Sequence, residues 1–112
     1  FPYTTLFRSY TQIGSIIYFS INISLTSKGS SAGVAFINNL PVAASATSAG
    51  YACMGYALGM TSFPGSTDTV IGTINANQTR MAINGYLGGT TGTLTQFAYT
   101  NFSNTSIIRI VC

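Results

Sequence analysis

The sequence predicts an all-β fold, an antiparallel β-sandwich of the jelly-roll-like kind with little or no helix. Apolar and polar residues alternate with period two from Ser15 onward, which is the pattern of a strand with one buried face. Clusters of Gly, Ser, Asn and Pro divide the chain into about seven short segments, as in sandwiches and barrels. No stretch has the 3.6-residue periodicity of an amphipathic helix.

The predicted strands follow one another at short intervals along the chain. The longest has Ile17, Phe19 and Ile21 on one face, with serine and asparagine on the other. In the segment 51–60, large and small side chains occupy opposite faces. The strands are predicted at 15–26, 34–38, 51–60, 69–76, 80–83, 93–99 and 106–111. The side chains predicted to form the core are Ile17, Phe19, Ile21, Ile23, Val34, Phe36, Ile74 and Leu94.

The first nine residues are predicted to be an artefactual leader. Phe1–Ser9 reads FPYTTLFRS, which resembles the translation of a sequencing-adapter oligonucleotide. The interpretation assigns a single domain to residues 10–112, as a fragment of a longer protein, and 112 residues leave no room for a second core.

Charged residues are scarce in this chain, and their scarcity argues against several classes of function. Charged residues make up 4% of the sequence, whereas globular domains carry about 25%. With no His and one acidic residue, the sequence lacks the usual general base and any pair of carboxylates, so we predict no enzyme, no catalytic residues, no metal site and no cofactor. Four scattered cations predict no nucleic-acid binding, and no apolar run reaches the roughly 18 residues of a membrane span.

Two isolated features, Lys28 with its neighbouring serines and Asp68, contain residue types found in functional sites, and both are interpreted as structural. Lys28 beside Ser27 and Ser30 has the residue types of a Ser–Lys nucleophile pair, but a Gly- and Ser-rich turn is too well solvated to activate them. Asp68 is the only acidic residue, and a calcium site usually needs more than one acid, so it is predicted to be a turn or cap residue.

Cys53 and Cys112 leave two alternatives open, a disulfide or two free thiols. The two residues lack the CxxC spacing that would suggest a zinc site. The free thiols are favoured on the expectation that the chain matures in a reducing cytoplasm, where disulfides are rare.

The order of several short motifs resembles a known group of proteins. Tyr10-Thr11-Gln12-Ile13-Gly14 precedes the long strand, Thr26–Ser30 ends it, and Asn39-Leu40-Pro41 and Asn101–Ile110 follow. This succession is similar to small C-terminal all-β domains of tailed-bacteriophage tail fibres and tail spikes; the segment 42–68 has no counterpart there. The resemblance implies a non-enzymatic virion structural domain in the tail, present in the host cytoplasm during assembly. It also implies a homotrimer and binding to a host-surface receptor.

A carbohydrate-binding module attached to a polysaccharide-degrading enzyme is the alternative function, and a host cell-surface glycan is a possible partner in either case. If one cluster binds a ligand, the sequence favours Phe63, Asn84 and Tyr86, because both segments contain glycine and are predicted to form loops with exposed rings. A small hydrolase is the third class, and it would require a cleft with paired titratable groups.

Overall fold

Eight β-strands and one short 3₁₀ helix make up the computed structural model, which describes residues 4–30, 33–40, 43–44, 51–65, 67–88 and 92–112. The strands are β1 (Thr4–Ile13), β2 (Ile16–Leu25), β3 (Phe36–Ile37), β4 (Tyr51–Leu58), β5 (Thr69–Ile74), β6 (Met81–Leu87), β7 (Thr93–Gln96) and β8 (Ile107–Val111). The 3₁₀ helix is Tyr99–Asn101. In the described residues no helix is long and apolar enough to cross a membrane.

The strands form one antiparallel sheet in the order β1-β2-β8-β4-β5-β6-β3, with β7 also paired to β6. The sheet curls into a half-barrel with a sandwich-like interior. Its C-terminal strand β8 lies between β2 and β4, so the end of the chain joins two segments that are distant in sequence. These features confirm the predicted all-β antiparallel fold with little or no helix.

The core lies on the inner face of the curl, where loops cover the sheet. Ile21 and Ile23 of β2 face inward, as predicted, and Ile108 and Ile110 of β8 lie directly opposite them. Phe97 and Phe102 come from the segment after β7 and are fully buried. The buried apolar side chains of the described residues are Ile21, Ile23, Leu25, Ala35, Ile37, Leu40, Cys53, Val70, Ile74, Met81, Ile83, Phe97, Phe102, Ile108 and Ile110.

Two of the predicted core residues are on the surface. Val34 is 48% exposed and Leu94 is 54% exposed. Around Val34 the prediction had the wrong parity: Ala35 and Ile37 face inward, so Val34 faces outward and Phe36 is only half-buried. A shift of one residue moves every side chain of a strand to the other face, and five residues are too few to decide between the two.

The predicted leader coincides with part of a paired strand. Residues 4–9 belong to β1, and each of them has a partner in β2, from Thr4 opposite Leu25 to Ser9 opposite Ser20. A two-residue turn joins the strands, with Gly14 at a φ of 60°, a conformation that glycine adopts without steric cost. The similarity of residues 1–9 to an adapter stays a prediction.

A disulfide between Cys53 and Cys112 corrects the prediction of free thiols. Met54 lies opposite Val111 in the β4–β8 ladder, so the two cysteines occupy the next opposed position on the inner face. Their Cα atoms are 4.8 Å apart, within the range that a disulfide requires. The sequence does not reveal that β4 and β8 are neighbours, and this adjacency is what brings the two sulfurs together.

Candidate functional site

Two of the predicted ligand-binding residues lie in a strand and not in a loop. Asn84 and Tyr86 belong to β6, on its outer face. Asn84 is only 8% exposed, and its Nδ2 donates hydrogen bonds to Oγ1 of Thr73 at 2.8 Å and to the carbonyl oxygen of Ala82 at 3.3 Å. Tyr86 is half-buried between Thr69 of β5 and Leu94 of β7.

Phe63, the third member of that cluster, lies on the other side of the sheet. Its ring contacts Phe97 edge-to-face, with centroids 5.3 Å apart, and packs against the core. The next residues, Pro64 and Thr67, cover the inner face of β6 at Gly85. The fold therefore separates Phe63 from Asn84 and Tyr86 by the thickness of the sheet, and the three residues do not form one cluster.

The outer face of the sheet carries large apolar side chains in the open. Met54 is 66% exposed and Val111, its opposite neighbour, is 64% exposed; Leu58 is also largely exposed. One cation stands among them: Arg109 donates from Nη1 to the Tyr56 hydroxyl at 2.6 Å and from Nε to Oδ1 of Asn22 at 3.3 Å. These neutral partners orient the guanidinium, and around β4 and β8 the outer face combines exposed apolar side chains with this one cation.

The hairpin of β1 and β2 extends beyond the rest of the sheet as an arm, which we define as Ser9–Tyr18. Every residue of the arm is exposed except the half-buried Ile17. The β2–β8 ladder covers Ser20–Ser24, and the hydrogen bonds between Phe19 and Cys112 extend it by one residue. Within the described chain the arm therefore has no strand on either side. Its large exposed side chains are Tyr10, Ile13, Ile16 and Tyr18, and its sequence contains no charged residue.

A polar cleft lies where β3 ends and β6 begins. It has a volume of about 430 Å³ and is lined by Asn38, Asn39, Asn77, Gln78, Thr79 and Arg80. Two turns form it, and main-chain hydrogen bonds hold them together: Leu40 N to Thr79 O at 2.8 Å, Ala44 N to Gln78 O at 3.0 Å and Asn77 N to Ala44 O at 3.1 Å.

Both turns contain an asparagine with a left-handed backbone. Asn39 has a φ of 59° and Asn77 a φ of 60°, a region that asparagine tolerates better than most residues. The sequence marked these positions as the end of one strand and the separator of two others. It gave no sign that the two turns meet, because that depends on the pairing of β3 with β6.

Arg80 is the charged group of the cleft, and it is held from two sides. Its Nε donates to Oε1 of Gln78 at 2.8 Å, and its guanidinium carbon lies 4.2 Å from the centre of the Phe36 ring. Among the described residues, no acceptor hydrogen-bonds to Nη1 or Nη2 of Arg80. The guanidinium is therefore oriented while its terminal fork of donors remains available.

Lys28 and Asp68, the two polar residues interpreted as structural from the sequence, form hydrogen bonds within the chain. The backbone N–H of Lys28 donates to Oδ1 of Asn104 at 3.1 Å, which ties the end of β2 to the turn before β8. Asp68 is exposed and accepts a hydrogen bond from the Thr69 hydroxyl at 3.1 Å. In the described part of the chain no three His, Cys, Asp or Glu side chains lie close enough to hold a metal ion.

These features define a class of protein: a disulfide-linked, curled antiparallel sheet with exposed apolar side chains on its outer face, a projecting arm and a polar cleft. Comparisons with protein-family models, with curated proteins and with solved structures find no match to the chain.

Proposed function

We propose that this chain is a non-catalytic structural domain of a phage virion, from a tail fibre or tail spike, which assembles with copies of itself and presents a surface to the host. The observation that carries the proposal is the arm. An isolated two-stranded hairpin is marginally stable in water, and uncharged, unprotected strand edges pair readily with other strands. A second chain that covers the arm would stabilise it by pairing with its strand edges and burying its apolar side chains.

A second copy of the same chain is the occupant that the chemistry of the arm favours. The arm has no charge to match with an oppositely charged partner. Its two edges offer backbone donors and acceptors, and its surface combines exposed apolar and tyrosine side chains with neutral polar ones such as Gln12. On β4 and β8 the outer face of the sheet also exposes apolar side chains, namely Met54, Leu58 and Val111 beside Arg109. The arm of one copy packed on the outer face of the next is a head-to-tail contact, which can close into a ring.

The number of copies and the location come from the resemblance of the motifs to tail-fibre and tail-spike domains, which implies a homotrimer. The disulfide is compatible with this location, because disulfides persist on virion surfaces as well as in secreted proteins. The role is proposed as non-catalytic because the chain has no histidine or glutamate and one aspartate, which leaves no pair of acid and base groups.

Sedimentation velocity of the 112-residue chain tests the assembly. We expect a species of about 35 kDa, three times the 11.7 kDa of one chain. Tyr18→Lys, on the exposed arm, should weaken the assembly at least tenfold without unfolding the monomer, because a charge would have to be buried in the contact. Thr100→Lys is the matched control, because Thr100 is exposed in the 3₁₀ helix and lies outside the arm and the outer face. A chain that stays monomeric at about 100 μM would contradict the proposal.

The second candidate is a carbohydrate-binding module of a polysaccharide-degrading enzyme, and the polar cleft is the observation that favours it. The coding sequence on either side of this segment discriminates between the two. A fibre shaft or a baseplate-attachment segment would support the virion domain, whereas an adjacent catalytic domain would favour the module.

A further inference from the structure

We propose that the cleft of Asn38, Asn39, Asn77, Gln78, Thr79 and Arg80 is a binding site for a carboxylate-bearing saccharide, with Arg80 gripping the carboxylate. The inference rests on the host-surface part of the proposed function and names the chemical class of ligand there. It replaces the separated cluster of Phe63, Asn84 and Tyr86 as the site of contact with a glycan.

The size and the lining of the cleft both suit a sugar. A volume of about 430 Å³ lies within the range of small-molecule sites. Four of the six lining side chains are carboxamides, each of which provides both donors and acceptors, and Thr79 adds a hydroxyl. Neighbouring hydroxyls of a sugar ring need this mixture, because each of them both donates and accepts.

The guanidinium of Arg80 adds a preference for an anion. No acidic residue lines the cleft, so its one charge is unopposed there. The terminal Nη1 and Nη2 groups form a planar fork that matches the two oxygens of a carboxylate, and such paired hydrogen bonds are stronger than neutral ones. A neutral sugar would use the same amides but leave this fork without an anionic acceptor.

The site is already oriented without a ligand. Gln78 fixes the Nε side of the guanidinium at 2.8 Å, and the Phe36 ring supports its plane at 4.2 Å. The three main-chain hydrogen bonds between the turns hold the lining residues in place. Binding therefore costs little ordering of Arg80, which is the part of an arginine contact that usually opposes affinity.

Arg109 provides a matched control within the same chain. It is also exposed, it also donates from Nε to a neutral side chain, and its guanidinium carbon also lies near an aromatic ring, 5.7 Å from the centre of Tyr56. It differs in two respects: its Nη1 is already bonded to the Tyr56 hydroxyl, and it does not line the cleft.

Binding of an α-1,4-linked trigalacturonate and of its methyl ester to the 112-residue chain, measured by NMR titration, tests the inference. We expect the acid to bind at least tenfold more tightly than the ester, with shifts in the amide signals of residues 77–80. Arg80→Gln should weaken binding of the acid at least tenfold, and Arg80→Lys should also weaken it severalfold because lysine keeps the charge but lacks the fork. Arg109→Gln lies outside the cleft and should leave the affinity of the chain for the acid unchanged, even where it alters the assembly.

Three results would overturn the inference: no shifts up to about 10 mM trigalacturonate, equal binding of acid and ester, or equal loss in Arg80→Gln and Arg109→Gln. Far-UV circular dichroism of each variant verifies that it is folded. The sedimentation experiment keeps the two proposals apart, because a trimer that binds no acid contradicts only this inference. A monomer that binds the acid through Arg80 contradicts only the proposed assembly.

Discussion

Glycines on the inner face let neighbouring segments approach the sheet more closely than a side chain would allow. A Cβ on Gly55 would collide with the main-chain carbonyl oxygen of Arg109 and would lie 2.9 Å from Cγ1 of Ile110. A Cβ on Gly72 would meet only side-chain atoms of Met81, with Cγ at 3.0 Å. The two positions lie on adjacent strands, and they differ in whether the obstacle is backbone or a flexible side chain.

Alanine substitutions at these two positions should therefore differ in cost. We expect Gly55→Ala to lower the free energy of unfolding by about 3 kcal/mol, because the β4–β8 ladder must shift, and Gly72→Ala by about 1 kcal/mol, because Met81 can adopt another rotamer. Urea denaturation followed by circular dichroism measures both values. Equal losses would show that the approach of Arg109 does not constrain β4.

In β4 the sequence reveals that large and small side chains alternate, but it does not reveal which of the two faces is buried. The large side chains of Met54, Tyr56 and Leu58 point outward, and the small ones of Cys53 and Ala57 point inward. Hydrophobicity alone would place the large face inside. The structure reverses it because Cys53 must reach Cys112 and because β8 runs so close to Gly55.

The hairpin of β1 and β2 offers a test of whether residues 1–9 belong to the domain. If residues 1–9 are an added leader, a chain that begins at Tyr10 should keep the fold, because β2 remains paired with β8 and its inner face remains packed. We expect cooperative thermal unfolding with a loss of about 2 kcal/mol. Each lost ladder bond contributes about 1 kcal/mol, and this is partly offset by the entropy of ordering residues 4–9.

Circular dichroism of the shortened chain, beside the 112-residue chain, gives the result. An unfolded shortened chain would mean that β1 belongs to the domain and that the leader prediction is wrong.

At the scale of the whole molecule, the disulfide joins positions that are 59 residues apart. It links the middle of the chain to its last residue, across the same ladder that inserts β8 between β2 and β4. The loop it closes contains most of β4 and all of β5, β6, β7, the 3₁₀ helix and β8. In the unfolded state the disulfide therefore restricts the conformations of the whole segment from Cys53 to Cys112, which supplies much of the core.

Reduction should accordingly destabilise the protein. For a closed loop of this length the chain-entropy estimate is about 4 kcal/mol, so we expect a large fall in Tm when dithiothreitol is added. The double variant Cys53→Ala/Cys112→Ala should have the lower Tm with or without the reductant. An unchanged Tm of the 112-residue chain after complete reduction, verified by thiol titration, would contradict this expectation.

The sequence by itself determined the all-β class, the positions of most strands and the inward face of β2, because period-two alternation and turn residues are local properties. It also carried the scarcity of charge that underlies the proposal of a non-catalytic assembly domain. Only the tertiary structure decided that Cys53 meets Cys112, that Phe63 is separated from Asn84, and that two asparagine-containing turns enclose a cleft beside Arg80. Each of these depends on which strands are neighbours, and that is set by packing between segments far apart in the chain, which no local pattern encodes.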